Sequence, residues 1–510
     1  MITNRVKNSK IYAELKDSVL LDDFHHSRDK FIHNVDSLYY MVNVTNGTDN
    51  QTYQNMIEIL ETMTGVAQDS NDIIKLSQFD KSFDDNIIVR PFGVAMYQYC
   101  LDSVNQYSVF IARKAKSNPE IWVQIRSEFL WLYGEHDCVR MSLNTIEKFL
   151  SCFGLDIQNV KENRIDYAYH TNYIQDPLNF FKEKNLNSMQ VSNFKRYSLE
   201  GCFIGSDEVE KDYVTFGRKK SNNIFFRVYN KTKEVIEKGY KQFFIEIWHK
   251  NKMISSYDKY CIEKAFHKSN YRYLDSARLL YYIEFGIDDS LKKIMQNAID
   301  SEDQLRIREC ANLYMPKITL VCNIEIETKR KFYYSLDESS HMFLKLKSKC
   351  KPYAKNIFRI IDNKESFHKL LTHDVIRFID RSSSERKTRC VTASWWKRLQ
   401  QVKVNRKYKQ NDINLYRTYQ TEHDIQLIRN RTLKSVASYS VYRNGDNSFD
   451  KNFHNDIMDI MSTLTENEIQ DLHSYKRKKF ALESNKIEHI EQIEACSRYV
   501  VLDKTTGEYL

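Results

Sequence analysis

Two short runs of this chain hold residue types that could do chemistry together. The first is Glu162-Asn163-Arg164-Ile165-Asp166-Tyr167-Ala168-Tyr169-His170. Side chains alternate between the faces of a strand, so Arg164, Asp166, Ala168 and His170 would share one face and Ile165, Tyr167 and Tyr169 the other. An acid and an imidazole standing together on a rigid sheet could act as a metal-binding or acid/base pair. The second run is Ile224-Phe225-Phe226-Arg227-Val228-Tyr229-Asn230-Lys231. There Phe225, Arg227, Tyr229 and Lys231 would share a face, setting a tyrosine between two cations. That arrangement suits a nucleophile that attacks phosphate, because a free phenol ionises near pH 10 and reacts poorly at neutral pH without help.

The elements needed to position these runs are legible in outline. Phe31 to Val44 is rich in strand formers and reads as the first core strand, and a short helix is expected around Tyr53–Met63. Ile121 to Arg126 alternates cleanly. Ser142 or Asn144 could cap a helix carrying Ile146, Phe149, Leu150 and Phe153, closed by Gly154. Asp212–Phe216 and Ile224–Asn230 read as a hairpin across the Gly217–Asn223 turn. Lys233 to Tyr273 reads as helical, and Arg278–Phe285 as a strand with Leu280, Tyr282 and Glu284 on one side. Lys317–Glu327 alternates again, with Ile318, Leu320, Cys322, Ile324 and Ile326 facing inward. Beyond about residue 340 the pattern turns helical and polar, with a basic stretch over 377–409 that includes Lys397 and Arg398 beside Trp395 and Trp396.

The sequence therefore predicts an α+β protein built on an antiparallel-sheet catalytic core with helices on one face, followed by a largely helical C-terminal region. The expected divisions are a polar leader over 1–30, a core over 31–290 with a helical insertion at about 236–275, a strand-containing extension over 291–340, and a basic helical region over 341–510. Composition bounds the rest. The chain has 510 residues, 42% hydrophobic and 28% charged, so ample core is available. A net charge of +9 over this length does not by itself identify a nucleic-acid binder. The ten cysteines show no CxxC spacing, which argues against a zinc site or a disulfide framework and for reduced thiols. No run approaches a membrane span or a secretory signal, so a cytoplasmic protein without a membrane partner is expected.

The order of motifs resembles a known family. An alternating strand and a helix precede Arg164-Ile165-Asp166. Next come Phe216-Gly217-Arg218-Lys219-Lys220-Ser221, Arg227-Val228-Tyr229-Asn230-Lys231, and a later Ile283-Glu284. This series is similar to the Rep_trans family of rolling-circle replication initiation factors, over about residues 31–290. The resemblance implies a metal-dependent, site-specific enzyme that nicks and rejoins origin DNA of a plasmid or mobile element. In such an enzyme a tyrosine becomes linked to the 5′ phosphate and a 3′-OH is freed for synthesis.

Carried onto this chain, the resemblance makes Tyr229 the nucleophile and Arg227 and Lys231 its charge-stabilising partners. It makes Asp166 and Glu284 ligands of Mg2+ or Mn2+. His170 is a third ligand candidate where relatives often carry an acid, and Glu246 is a rival to Glu284. Arg218, Lys219, Lys220, Lys397 and Arg398 would contact DNA. Single-stranded or cruciform origin DNA, a homodimer, and the host helicase and polymerase are the implied partners. A structural alternative stands beside each reading: His170 as a hydrogen-bonded core histidine, Tyr229 as a cross-strand packing residue, and the basic runs as solvated faces. The whole-chain alternative is an origin-binding protein whose catalytic site has decayed.

Overall fold

The computed structural model describes residues 10–11, 19–27, 29–69, 73–115, 118–180, 189–190, 197–204, 208–216, 223–239, 241–337, 352–386, 389–403, 429, 432–439, 453–473 and 475–476. The turn carrying Arg218, Lys219 and Lys220 lies outside them.

Period-two alternation builds one antiparallel sheet of eleven strands. In chain order these are β1 (Phe31–Val44), β2 (Ile74–Lys75), β3 (Ile87–Arg90), β4 (Tyr99–Ser103), β5 (Tyr107–Ile111), β6 (Ile121–Ile125) and β7 (Ile157–Thr171). A two-residue β8 (Met189–Gln190) follows, then β9 (Tyr197–Ile204), β10 (Glu208–Phe216), β11 (Ile224–Asn230), β12 (Cys322–Lys329) and β13 (Arg377–Phe378). The spatial order is β2-β3-β4-β5-β6-β1-β7-β12-β11-β10-β9, while β8 and β13 pair with each other. The late strand β12 thus lies between β7 and β11.

Register follows from the longest ladder, β1 with β7, where Ser37 faces Asp166 and a bulge between Val35 and Ser37 leaves Asp36 as the extra residue. On its two sides, β12 sets Glu327 against Asp166 and Glu325 against Arg227, and it sets Asn323 against both His170 and Tyr229. Arg164, Asp166, His170, Asn323, Glu325, Glu327, Arg227 and Tyr229 therefore occupy one sheet face. On the opposite face, Tyr169 hydrogen-bonds His368 Nδ1 at 2.8 Å and Tyr167 meets Tyr333 at 3.2 Å. Trp396 packs near Phe226 there and is fully buried. His368 lies on the helix Lys364–Lys369 and Tyr333 on Arg330–Asp337, whereas Trp131 and Phe244 pack on His170 from the other side. Helices thus lie against both faces, not one.

The sequence reading needs three further corrections, while its helical reading of the stretch after β11 holds. Arg278–Phe285 is not a strand but the end of the helix Tyr273–Phe285, whose buried Leu274, Ala277, Arg278, Tyr281 and Tyr282 follow helical spacing. Arg278 fixes it by donating to the carbonyls of Ala311, Met315 and Pro316. The helix expected to be capped by Ser142 or Asn144 begins at Glu135, so both sit within it, and Ser142 donates to Cys138 O at 2.9 Å and meets Tyr40 at 2.8 Å. Within 317–327 the strand begins only at Cys322. The stretch after β11 is three helices, Lys231–Lys238, Phe243–Lys250 and Ser256–His267; the first is capped by Asn230, which accepts from Lys233 N at 3.0 Å.

Residues 1–334 with 342–415 form one compact unit, and 335–341 with 416–510 a second. The described helices of the second unit include Phe453–Ser462 and 466–473. A capping box opens the latter, with Thr465 and Glu468 satisfying each other's backbone N–H groups.

Candidate functional site

Four strands bring the polar groups together on one face. Tyr229, half-buried on β11, accepts a hydrogen bond from Asn323 Nδ2 at 3.0 Å and from Lys231 Nζ at 3.2 Å, and its hydroxyl donates to Glu325 Oε2 at 3.2 Å. Arg227 pairs with the other oxygen of Glu325 at 2.6 Å and lies over the Tyr229 ring. One strand further on, Arg164 bridges Asp166 at 2.5 Å and Glu327 at 3.0 Å. Three buried carboxylates, Asp166, Glu325 and Glu327, therefore meet two guanidiniums.

Lys231 is fully buried. Its ammonium meets Glu234 at 2.8 Å and Asp36 at 3.5 Å. The β-bulge aims Asp36 inward, where it also accepts from Ser127 Oγ and from Trp131 Nε1. Burial alone would lower the Lys231 pKa, but Asp36, Tyr229 and Glu234 hold it well above its usual value. The carboxylates of this group respond in the opposite sense. Glu234 is disfavoured by burial but pulled down to about 2 by Lys231 and Lys241.

Burial pushes the Tyr229 phenol well above its usual range, with Glu325 and Glu234 adding to the shift against Lys231 and Arg227. Asp166 is pushed up to about 7 by burial and by Glu325, with Glu327 adding less, against the pull of Arg164. The carboxylate end of the face is thus short of positive charge. Hard carboxylate oxygens suit Mg2+ or Mn2+. Among the described residues, however, no three His, Cys, Asp or Glu side chains are arranged to hold a metal.

The structure divides the sequence-predicted residues. It gathers Asp166, Arg227, Tyr229 and Lys231. His170 shares the face but is walled in by Trp131, Phe244 and Trp248, and its Nδ1 accepts from Trp248 Nε1 at 3.0 Å. Burial, then Lys231, lowers its pKa to about 3. Glu284 stands apart at the end of a helix, where its carboxylate takes the Tyr260 hydroxyl at 2.6 Å. Glu246 is likewise helical and pairs with Lys259 at 2.5 Å. Lys397 and Arg398 lie exposed on the helix Ser394–Gln400, with Arg398 paired to Asp29, while Trp395 and Trp396 of that helix are buried.

Sequence reasoning missed Glu325, Glu327, Asn323 and Asp36. The alternation of Ile324 and Ile326 already placed Asn323, Glu325 and Glu327 on the opposite face of their strand. Nothing in the sequence placed that strand beside Asp166 and Tyr229. No sequence signal announces the bulge at Asp36.

No known protein family and no curated protein matches the chain. Among solved structures, it is similar to a rolling circle replication initiator protein from Geobacillus stearothermophilus, at 13% identity and a TM-score of 0.35. That match covers 75% of this chain and 100% of the other. At those values the likeness assigns neither fold nor function. No described helix is long and apolar enough to cross a membrane.

Proposed function

We propose that this protein initiates rolling-circle replication of a plasmid or mobile element by nicking and rejoining origin DNA, with Tyr229 as nucleophile. The observation that carries the reading is the Tyr229 hydroxyl held between Lys231, Asn323 and Glu325, with Arg227 alongside. In the step, the Tyr229 oxygen attacks phosphorus and the bond to the 3′ oxygen breaks. The phenol proton has an acceptor at hand in Glu325 Oε2. Lys231 and Arg227 face the charge that grows on the phosphoryl oxygens, where fixed cations in a buried setting are most effective. The departing 3′ oxygen takes up a proton from solvent, so the products are a 5′-phosphotyrosyl link and a free 3′-OH; reversal rejoins the strand.

Mg2+ or Mn2+ is the proposed cofactor, which when bound supplies Lewis-acid polarisation of the phosphate. Asp166, Glu325 and Glu327 as arranged do not form a metal site and would hold the ion only on releasing Arg164 and Arg227. Arg164 and Arg227, which now balance those carboxylates, would then be available to DNA oxygens. His170 and Glu284 are left out of this set, for the reasons of geometry given above. Lys397, Arg398 and the 218–220 turn are proposed contacts to the single-stranded or cruciform origin, and a homodimer, the host helicase and polymerase are proposed partners.

The test is a nicking assay on supercoiled plasmid carrying the gene's own flanking DNA, with Mg2+ or Mn2+. Tyr229→Phe should abolish the covalent protein–DNA adduct and leave DNA binding intact. An adduct of undiminished yield would remove Tyr229 from the role. A second reading, an origin-binding protein with a decayed site, is favoured by the neutral phenol and by the guanidiniums already engaging each carboxylate. It requires that the wild-type protein bind this DNA and never nick it with either metal.

A further inference from the structure

Beside the Tyr229 face lies a cleft of about 830 Å3 that the proposed chemistry does not use. It begins at Ser37, which faces Asp166 across one strand spacing, and continues over β6 toward the start of the helix Phe243–Lys250. Its floor carries Gln124, which is register partner of Tyr39 on β1 and half-buried. Asn105, in the turn between β4 and β5, and Gln242 complete a set of three primary amides, with Phe243 and Phe266 as half-buried aromatic walls. None of the three amide side chains makes a hydrogen bond to another described residue.

The cations of the cleft are already balanced, and its Glu128 carboxylate has no ion-pair partner among the described residues. Arg126 pairs with Asp102 at 2.5 Å, Lys241 with Glu234 at 3.2 Å, and Glu246 with Lys259 at 2.5 Å. A site built for bare phosphate would leave a cation free, and this one offers neutral donors and acceptors beside aromatic rings. That is the chemistry of a nucleobase. Amides present a donor and an acceptor side by side, which matches adenine bidentately, and aromatic rings stack on the base plane. The volume lies within the range of small-molecule sites and holds a base with its sugar.

We propose that this cleft reads an unpaired adenine in the strand flanking the scissile phosphate, with Gln124 and Gln242 contacting its edge and Phe243 or Phe266 stacking on its face. Three strand spacings from β11 to β1 put the near edge of the cleft about 14 Å from the Tyr229 strand, and Gln124 on β6 is one spacing further, about 19 Å away, so the base read belongs to a flanking nucleotide and not to the one attacked. The inference rests on the nicking reading for its choice of DNA as ligand. It goes beyond that reading in giving the site a base preference.

The test uses the full chain and fluorescent single strands of oligo(dA) and oligo(dT), each of about twelve nucleotides, a length that spans one binding site. Binding is followed by polarisation at fixed salt. Wild-type protein should bind oligo(dA) about tenfold more tightly, the discrimination expected of one good amide–base pair. Gln242→Ala, at an exposed position, should erode the preference. The double variant Gln124→Leu with Gln242→Ala should erase it while leaving the salt dependence of binding unchanged. Equal binding of the two strands by wild type, a preference that survives in the double variant, or no binding of either strand would each overturn the assignment. Its failure is separable from failure of the nicking reading. A clear oligo(dA) preference in a protein that never forms an adduct supports the cleft and removes the nickase, whereas an adduct formed without base preference does the reverse.

Discussion

Asp166 and His170 stand four residues apart on one face of one strand, yet their surroundings are opposite. Around Asp166 the adjacent strand β12 supplies both Glu325 and Glu327, and Arg164 reaches across to both Asp166 and Glu327. Around His170 the neighbours are Trp131, Phe244 and Trp248, delivered by two helices. Burial raises the pKa of the acid and lowers that of the base, as it must for any group whose charged form loses water. One end is a crowded ionic cluster of three carboxylates and two guanidiniums. The other is a neutral imidazole locked into an aromatic box. A shared strand face therefore does not make a shared site; the elements laid beside and over it do.

The contrast can be broken from the ionic side first. Arg164→Met should leave Asp166 and Glu327 buried without their common partner and lower stability by about 3–5 kcal/mol. That loss would be read as a lower urea midpoint at neutral pH. A change within experimental scatter would mean that the carboxylates take up protons or water and that the cluster is not held by Arg164.

Next in size is the comparison of two acids. Glu325→Gln should reduce adduct formation by about 100-fold, in the range found when a group acting directly on the transition state is removed. Glu284→Gln should change it less than about twofold, since that carboxylate is spent on Tyr260. Equal effects would return Glu284 to the site.

The smallest effect probes the aromatic box. With a folded pKa near 3 and an unfolded value near 6.5, His170 is kept neutral by the fold. Its contribution to stability is fully present above the unfolded value and is lost as pH falls through the window toward 3. Between pH 7 and pH 5 the loss is about 2 kcal/mol, from one and a half pKa units. Unfolding measured at both pH values should show this slope in the wild type and a flatter one in His170→Gln. An unchanged slope would place the acid sensitivity elsewhere.

Much of the Tyr229 face was legible before the fold was known. Period-two alternation placed Arg164, Asp166 and His170 together and Arg227 beside Tyr229, because a strand's pleat fixes which side chains share a side. Lys231, assigned to the same strand, instead opens the helix after β11 and reaches Tyr229 from there. Apolar spacing also found β1 at its observed bounds. Arg278–Phe285 misled for a physical reason. A short apolar run buried on most of its surface carries no clear period, and its Ile283-Glu284 pair reads equally well on a helix. The acids of β12 were visible as the outward positions of an alternating strand but had no neighbour assigned to them.

By itself, then, the sequence determined the strands β1, β6, β7, β10 and β11 in outline, the faces of β7 and β11, and the residue types available for phosphate chemistry, since these depend on local geometry and on the pattern of a few adjacent residues. Only the tertiary structure decided which acids meet the tyrosine. It inserted β12 between β7 and β11, bulged Asp36 toward Lys231 and closed two helices over His170. Those outcomes come from pairing segments far apart in the chain, and the preference for one pairing over another is set by the burial of whole faces rather than by any local run of residues.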